Sequence, residues 1–224
     1  MPVQDDADGA RPLDELFAAY GAGALDPARH ALVASHLLLK PENRRFVRAL
    51  EAASGSALAA QEAPPLARRD ARLAAIFAAQ PAPLHAPVAA PADAASDTLP
   101  APLRRFIGAD LGALAWRFVI PGVRECKLGA VGGGDASLIH VRAGRRLPQH
   151  THEGSELTLV LTGAFRDQQG RYARGDIALA DSAIDHSPQV DDDGDCLCFA
   201  VTDAPLRLTS PIGRLVERFL IRRH

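Results

Sequence analysis

Gly144-Arg-Arg-Leu-Pro-Gln-His150-Thr-His152-Glu-Gly-Ser-Glu156-Leu-Thr-Leu-Val-Leu-Thr-Gly163 is the stretch on which the reading of the whole chain turns. His150 and His152 are two residues apart, so on an extended strand both imidazoles point to the same face. The turn-prone Glu153-Gly154-Ser155 follows, and Glu156 stands four residues after His152, where its carboxylate can fold back toward the rings. Leu157-Thr-Leu-Val-Leu161 predicts a buried strand that holds Glu156 rigidly. Two neutral ring nitrogens and one carboxylate oxygen that converge on a point suit a divalent transition metal. A histidine pair alone is a weak signal, often no more than two satisfied rings. The glutamate and the bracketing glycines make the pattern specific, and the stretch reads as a metal site.

With these residues in place, the chain resembles a known family. Gly144, His150-x-His152, Glu156 and Gly163 match the first cupin motif without a gap. The resemblance implies a small antiparallel β-barrel with the metal inside and a fourth ligand, a histidine, from a later strand. His186 and His224 are the candidates, and only His186 lies in strand-rich sequence. The usual second cupin motif is not matched, since His186 stands ten residues after Asp176 with no asparagine following. Gly163-Ala-Phe-Arg-Asp167, Gly170-Arg-Tyr172, Gly175-Asp176, His186-Ser-Pro188, Cys196-x-Cys198 and Thr202-Asp-Ala-Pro-Leu-Arg207 together resemble the C-terminal domain of the ChrR anti-sigma factors. The resemblance implies zinc as the first choice of metal, while a His₃Glu set also accepts manganese, iron or nickel.

The 224 residues exceed the usual single-domain size, and 47% hydrophobic content is ample for globular cores. A net charge of −2 argues against a generic nucleic-acid binder. The 3 cysteines cannot form a disulfide framework, and the sequence shows no secretory leader and no apolar run long enough to span a bilayer, so a cytoplasmic location is expected.

Helical periodicity dominates the N-terminal part. Leu13, Leu16, Phe17 and Tyr20 predict a first helix that Gly21 and Gly23 stop. Asp26-Pro27 is an N-cap with a first-turn proline, opening a second helix that Lys40-Pro41 interrupts. A third is expected from Glu42 to about Ser54, ended by Gly55, and a fourth over Leu66 to Phe77. Four such helices bury little core alone, so a partner surface or a bound metal would help them. Here too the chain resembles the zinc-binding anti-sigma domain, whose ligands are a histidine and two cysteines at fixed spacing, with a further histidine upstream. The first histidine is His36, but Lys40 and Asn43 stand where the family has cysteines, and the upstream position falls on Arg11. Neither a lysine cation nor an amide is a soft-metal ligand, so this degenerate site is not expected to bind zinc. Two readings of Lys40 stand: its charge, with hydrogen bonds between Asn43 and His36, replaces the zinc staple, or it is a solvated residue favoured at a helix C-terminus.

The fold expected is therefore α+β and multidomain. A helical anti-sigma-like domain spans residues 1–80, and a Pro/Ala linker with six prolines spans 81–102. A cupin β-barrel (a double-stranded β-helix) occupies 103–224. The linker predicts few contacts between the two domains. Strands are expected at 116–120, 124–128, 137–141, 164–167, 177–180, 196–201 and 206–208, followed by an amphipathic helix at 212–220 covering one sheet face. His140 is expected outside the metal site, Asp176 in a turn, and Asp191, Asp192, Asp193 and Asp195 in a solvated acidic loop. Cys196 and Cys198 face one side of their strand, either as small core residues or as oxidisable thiols near the metal. The resemblance implies an anti-sigma factor that sequesters an extracytoplasmic-function-type sigma factor and releases it under oxidative stress sensed through the cupin domain. The alternative is a metal-dependent cupin enzyme such as a dioxygenase.

Overall fold

The computed structural model describes residues 11–62, 65–79, 98–131 and 134–209. The linker residues up to 97, the expected helix at 212–220 and His224 lie outside the described residues. Among the described residues, five α-helices and eleven strands follow in chain order: α1 (Arg11–Gly21), α2 (Pro27–Leu39), α3 (Arg44–Ala59), α4 (Arg69–Ala78) and α5 (Ala101–Ile107), then β1 (Arg117–Ile120), β2 (Val123–Val131), β3 (Gly134–Val141), β4 (His150–His152), β5 (Glu156–Thr162), β6 (Ala164–Arg166), β7 (Arg171–Ala173), β8 (Ile177–Ala180), β9 (Gln189–Val190), β10 (Cys196–Thr202) and β11 (Leu206–Leu208).

The local chemistry of α2 explains its start. Asp26 caps it, accepting from the backbone N–H of Ala28 at 2.9 Å and Arg29 at 3.0 Å, with Pro27 in the first turn. Helix α3 runs through Gly55, against the expectation that this glycine would end it. A helical glycine costs only about 1 kcal/mol relative to alanine, and the flanking Ala52, Ala53, Leu58 and Ala59 are mostly strong helix formers. The expected linker end is also corrected, because Ala101 and Pro102 already belong to α5.

Six strands form one antiparallel sheet in the order β1-β2-β3-β10-β5-β8. Strands β4 and β11 form a second ladder, and β7-β6-β9 a third. Phe165 of β6 and Val190 of β9 pack against Val141, Val160, Cys196 and Cys198 of the large sheet, which closes the barrel around an interior. Strands β7 and β9, of 3 and 2 residues, are too short to show a periodicity in the sequence.

Side chains alternate across the large sheet, and this alternation organises the molecule. Val160, Cys196, Cys198 and Val141 face the barrel interior. Leu157, Leu159, Leu161, Leu197, Phe199 and Val201 face the other way. That outer face is covered by helices: the same core cluster holds Phe17, Leu32, Val33 and Leu37 of α1 and α2 and Leu103 of α5. Helical part and barrel thus share one hydrophobic core, and the expectation of few contacts between them is corrected. The physical reason lies in amount of surface: α1 to α3 are too short to bury themselves, and the apolar outer face of β5 and β10 supplies what they lack.

Candidate metal centre

The barrel interior brings together the four residues of the sequence reading. His150 and His152 lie at the two ends of β4 and Glu156 begins β5, with the Gly154-Ser155 turn between them. His186 comes from a loop, held against β4 by reciprocal backbone hydrogen bonds with His150 at 3.0 Å each way. The ligand atoms of His150, His152, Glu156 and His186 all lie within 4.8 Å of one another. The three rings are buried.

Hydrogen bonds select the tautomers. His150 Nδ1 donates to the Pro148 carbonyl at 2.7 Å, which leaves its Nε2 lone pair free. His186 Nδ1 bonds Asp167 Oδ2 at 3.0 Å, so its Nε2 also faces inward, 3.4 Å from His152 Nε2. His152 Nε2 is 3.0 Å from Glu156 Oε2, while its buried Nδ1 has no partner among the described residues. Burial, followed by the charge of neighbouring His186, pushes the His150 imidazole below its ordinary value, although its bond to Pro148 opposes this. Burial alone would raise the Glu156 carboxyl, but the hydrogen bond from His152 and the surrounding imidazoles hold it below the ordinary range. Neutral rings and an ionised carboxylate are the forms that bind a metal. The four can hold a divalent ion, and a cation at their centre would compensate a carboxylate that burial otherwise penalises.

Asp167, which the sequence reading did not single out as a site residue, stands behind this group. Its side chain is 1% exposed, and besides His186 it bonds the backbone N–H of Gln169 at 2.9 Å and Gly170 at 3.3 Å. The one metal-site histidine on a loop is thus oriented by a fixed, buried carboxylate, the arrangement that sets ring orientation and ligand basicity in metal sites. The signal in the sequence was Gly163-Ala-Phe-Arg-Asp167, but its partner is nineteen positions away across the β6–β9 pairing. Asp167→Ala is expected to weaken metal binding about 10–100-fold, with Asp167→Asn retaining part of it. Competition titration with a chelator checks this.

Gly163 needs its freedom: φ is +70°, and a Cβ there would stand 2.5 Å from the Asp195 carbonyl oxygen. An apolar cavity of about 110 Å³ adjoins the histidines, lined by Ile139, Val141, Leu147, Phe165 and Val190. Cys196 and Cys198 also line it, buried as free thiols with their sulfurs 3.6 Å apart. The contact with Cys196, then burial, pushes the Cys198 thiol well above its ordinary value. It stays protonated, which disfavours nucleophilic reactivity.

His140 lies outside this centre, its Nε2 3.3 Å from Asp195 and its ring edge-on to Trp116. The acidic loop is more tied down than expected. Asp191 pairs with Arg171 at 2.7 Å and Arg166 at 3.4 Å, and Asp195 accepts from the Ala143 N–H at 2.9 Å.

Of the degenerate N-terminal motif, the side chains of His36, Lys40 and Asn43 are described, and each is taken up by another partner. Arg11 opens α1. His36 Nδ1 donates to the Gly175 carbonyl at 2.7 Å, and its Nε2, the atom left for a metal, accepts from Asn43 Nδ2 at 2.8 Å. Lys40 Nζ is 2.9 Å from Asp176 Oδ1 on the barrel, so the reading of Lys40 as merely solvated is corrected. Burial holds the His36 imidazole below its ordinary value, in agreement with a neutral ring that donates once and accepts once.

Residues 105–205 match the family described as the ChrR cupin-like domain. The anti-sigma-E factor ChrR of Cereibacter sphaeroides is 41% identical over 212 residues, covering 92% of this chain and 95% of the relative. The chain belongs to the ChrR family of anti-sigma factors. The crystal structure of Rhodobacter sphaeroides SigE in complex with the anti-sigma ChrR is similar to it with a TM-score of 0.70 and 35% identity, covering 85% of this chain and 96% of that one. This ChrR-family chain is thus a regulator by relationship, a helical region followed by a cupin-like domain. No helix among the described residues is long and apolar enough to cross a membrane.

Proposed function

We propose that the chain is a cytoplasmic anti-sigma factor that sequesters a sigma factor of the extracytoplasmic-function type through its helical part. In this reading the barrel holds zinc through His150, His152, Glu156 and His186, and oxidative stress acting on the barrel releases the partner. The metal, when bound, supplies a single cation that draws the four side chains together. The helical part (1–80) and the cupin domain after the linker divide the labour between partner and signal.

The observation that carries this reading is α4. None of its residues is buried, yet it presents Leu73, Ile76 and Phe77, with Phe77 84% and Ile76 66% exposed. Leu58 on α3 is 69% exposed and Leu66 before α4 is exposed as well. An amphipathic helix with no buried residue leaves its apolar stripe to be covered by another surface. The relative crystallised with SigE agrees with a sigma factor as that partner.

Ile76→Asp with Phe77→Asp in the full chain is therefore expected to weaken the hold on the cognate sigma factor about tenfold or more, as loss of apolar anchors does, with metal content unchanged. Affinity capture of the co-expressed sigma factor, scored beside elemental analysis, measures both. Undiminished capture would remove α4 from the interface. Capture of no candidate sigma factor by the unsubstituted chain would contradict the anti-sigma reading.

A further inference from the structure

Three residues of the degenerate motif, His36, Lys40 and Asn43, engage the β7–β8 turn of the barrel, directly or through one another. His36 is 3% exposed. Besides its bonds to Gly175 and Asn43, its ring stacks on Phe17 of α1, with centroids 5.3 Å apart and planes 24° from parallel. One imidazole therefore ties α1, α2, the residue that precedes α3, and the barrel turn. Lys40 adds an ion pair to the next residue of that turn, Asp176.

The fit at this point leaves no slack. Gly175 has φ +89°, and a Cβ on it would lie 2.9 Å from Leu39 Cβ and 3.0 Å from Lys40 Cε. The turn in its turn is locked to the sheet. Gly175 N–H donates to the Val160 carbonyl at 2.8 Å, and Val160 N–H donates to the Asp176 carbonyl at 3.1 Å. Asp176 Oδ2 also accepts from the Ala173 N–H at 2.9 Å. Val160 lies on β5, whose first residue is Glu156 of the metal centre. A continuous chain of backbone and side-chain hydrogen bonds thus leads from the strand that carries Glu156 to α2 and to the head of α3.

We propose that this His36–Asn43–Gly175 and Lys40–Asp176 junction is a metal-free coupling joint, through which the state of the barrel's metal centre reaches the helices that hold the partner. The inference rests on the reading of the barrel as a metal centre. Coupling of this kind is carried by contiguous packed and hydrogen-bonded contacts, and it acts in both directions. A zinc ion in the helical part would hold these helices to one another. The junction holds them to the barrel.

The test is hydrogen exchange on the full chain, metal-loaded and metal-stripped, without any partner. In the unsubstituted chain, metal loading is expected to slow exchange of the amides at 36–47 by at least about fivefold, the lower end of typical coupling between sites. Lys40→Glu opposes Asp176 with a like charge, and Gly175→Ala forces the turn away from Leu39. In both, the metal-dependent slowing at 36–47 is expected to vanish while metal content stays at one ion per chain. Lys40→Arg keeps the ion pair with Asp176 and the bond of Asp176 to Ala173, and is expected to keep the slowing. Metal-dependent slowing of full size in Lys40→Glu and Gly175→Ala overturns the joint, and so does its absence from the unsubstituted chain once loaded. A chain that takes up no metal contradicts the metal reading instead.

Discussion

Phe199→Ala is expected to destabilise the chain by about 3–5 kcal/mol, the usual cost of removing a fully buried aromatic ring, and to lower the melting temperature by roughly 6–20 °C for a chain of this size. Phe199 is fully buried on β10, its ring edge-on to Phe106 of α5 at 5.8 Å. It sits in the cluster that contains both the helical residues Leu32 and Leu103 and the strand residues Leu159 and Leu197. The cavity left behind would lie under the helices and over the sheet, so neither could relax into it alone. Loss of helical circular dichroism and change in the emission of the sole tryptophan, Trp116, beside the first barrel strand, should therefore shift together. A shift in one signal only would show separate cores.

His150→Ala is expected to abolish stoichiometric metal binding. It removes one of four converging donors and frees the Pro148 carbonyl that had fixed the ring. The loss should exceed the about 10–100-fold expected for an outer partner such as Asp167, since His150 would itself donate to the ion whereas Asp167 only orients a donor. Elemental analysis of the full chain reads this directly: one ion per chain before substitution and a small fraction of that after. An unchanged metal content would remove His150 from the centre.

Much of this was legible because the relevant signals are local. The two-residue spacing of His150 and His152 and the return at Glu156 rest on strand period and turn chemistry within seven residues. The Asp26-Pro27 start of α2 and the Pro121-Gly122 turn between β1 and β2 are equally local. What escaped was non-local. Leu157-Thr-Leu-Val-Leu161 reads as buried on both faces, but periodicity cannot say that the odd-numbered leucines meet α1 and α2. Asp167 has an ordinary turn sequence after it, and its bond to His186 exists only because β6 pairs with β9. Lys40 and Asn43 were visible as departures from a zinc motif. That Lys40 meets Asp176 and His36 meets Gly175 depends on how the helices lie on the sheet.

One hydrophobic core joins the helical part to the barrel whose four side chains can hold a metal. The most direct measurement of coupling between the two is the affinity of the purified full chain for its cognate sigma factor, with the metal loaded and after it is stripped by a chelator. The loaded chain is expected to bind at least about fivefold more tightly, within the usual range of coupling between two sites, and the metal should in turn be held more tightly in the complex. Equal affinities in the two states would contradict any coupling between the metal centre and the helices that hold the sigma factor.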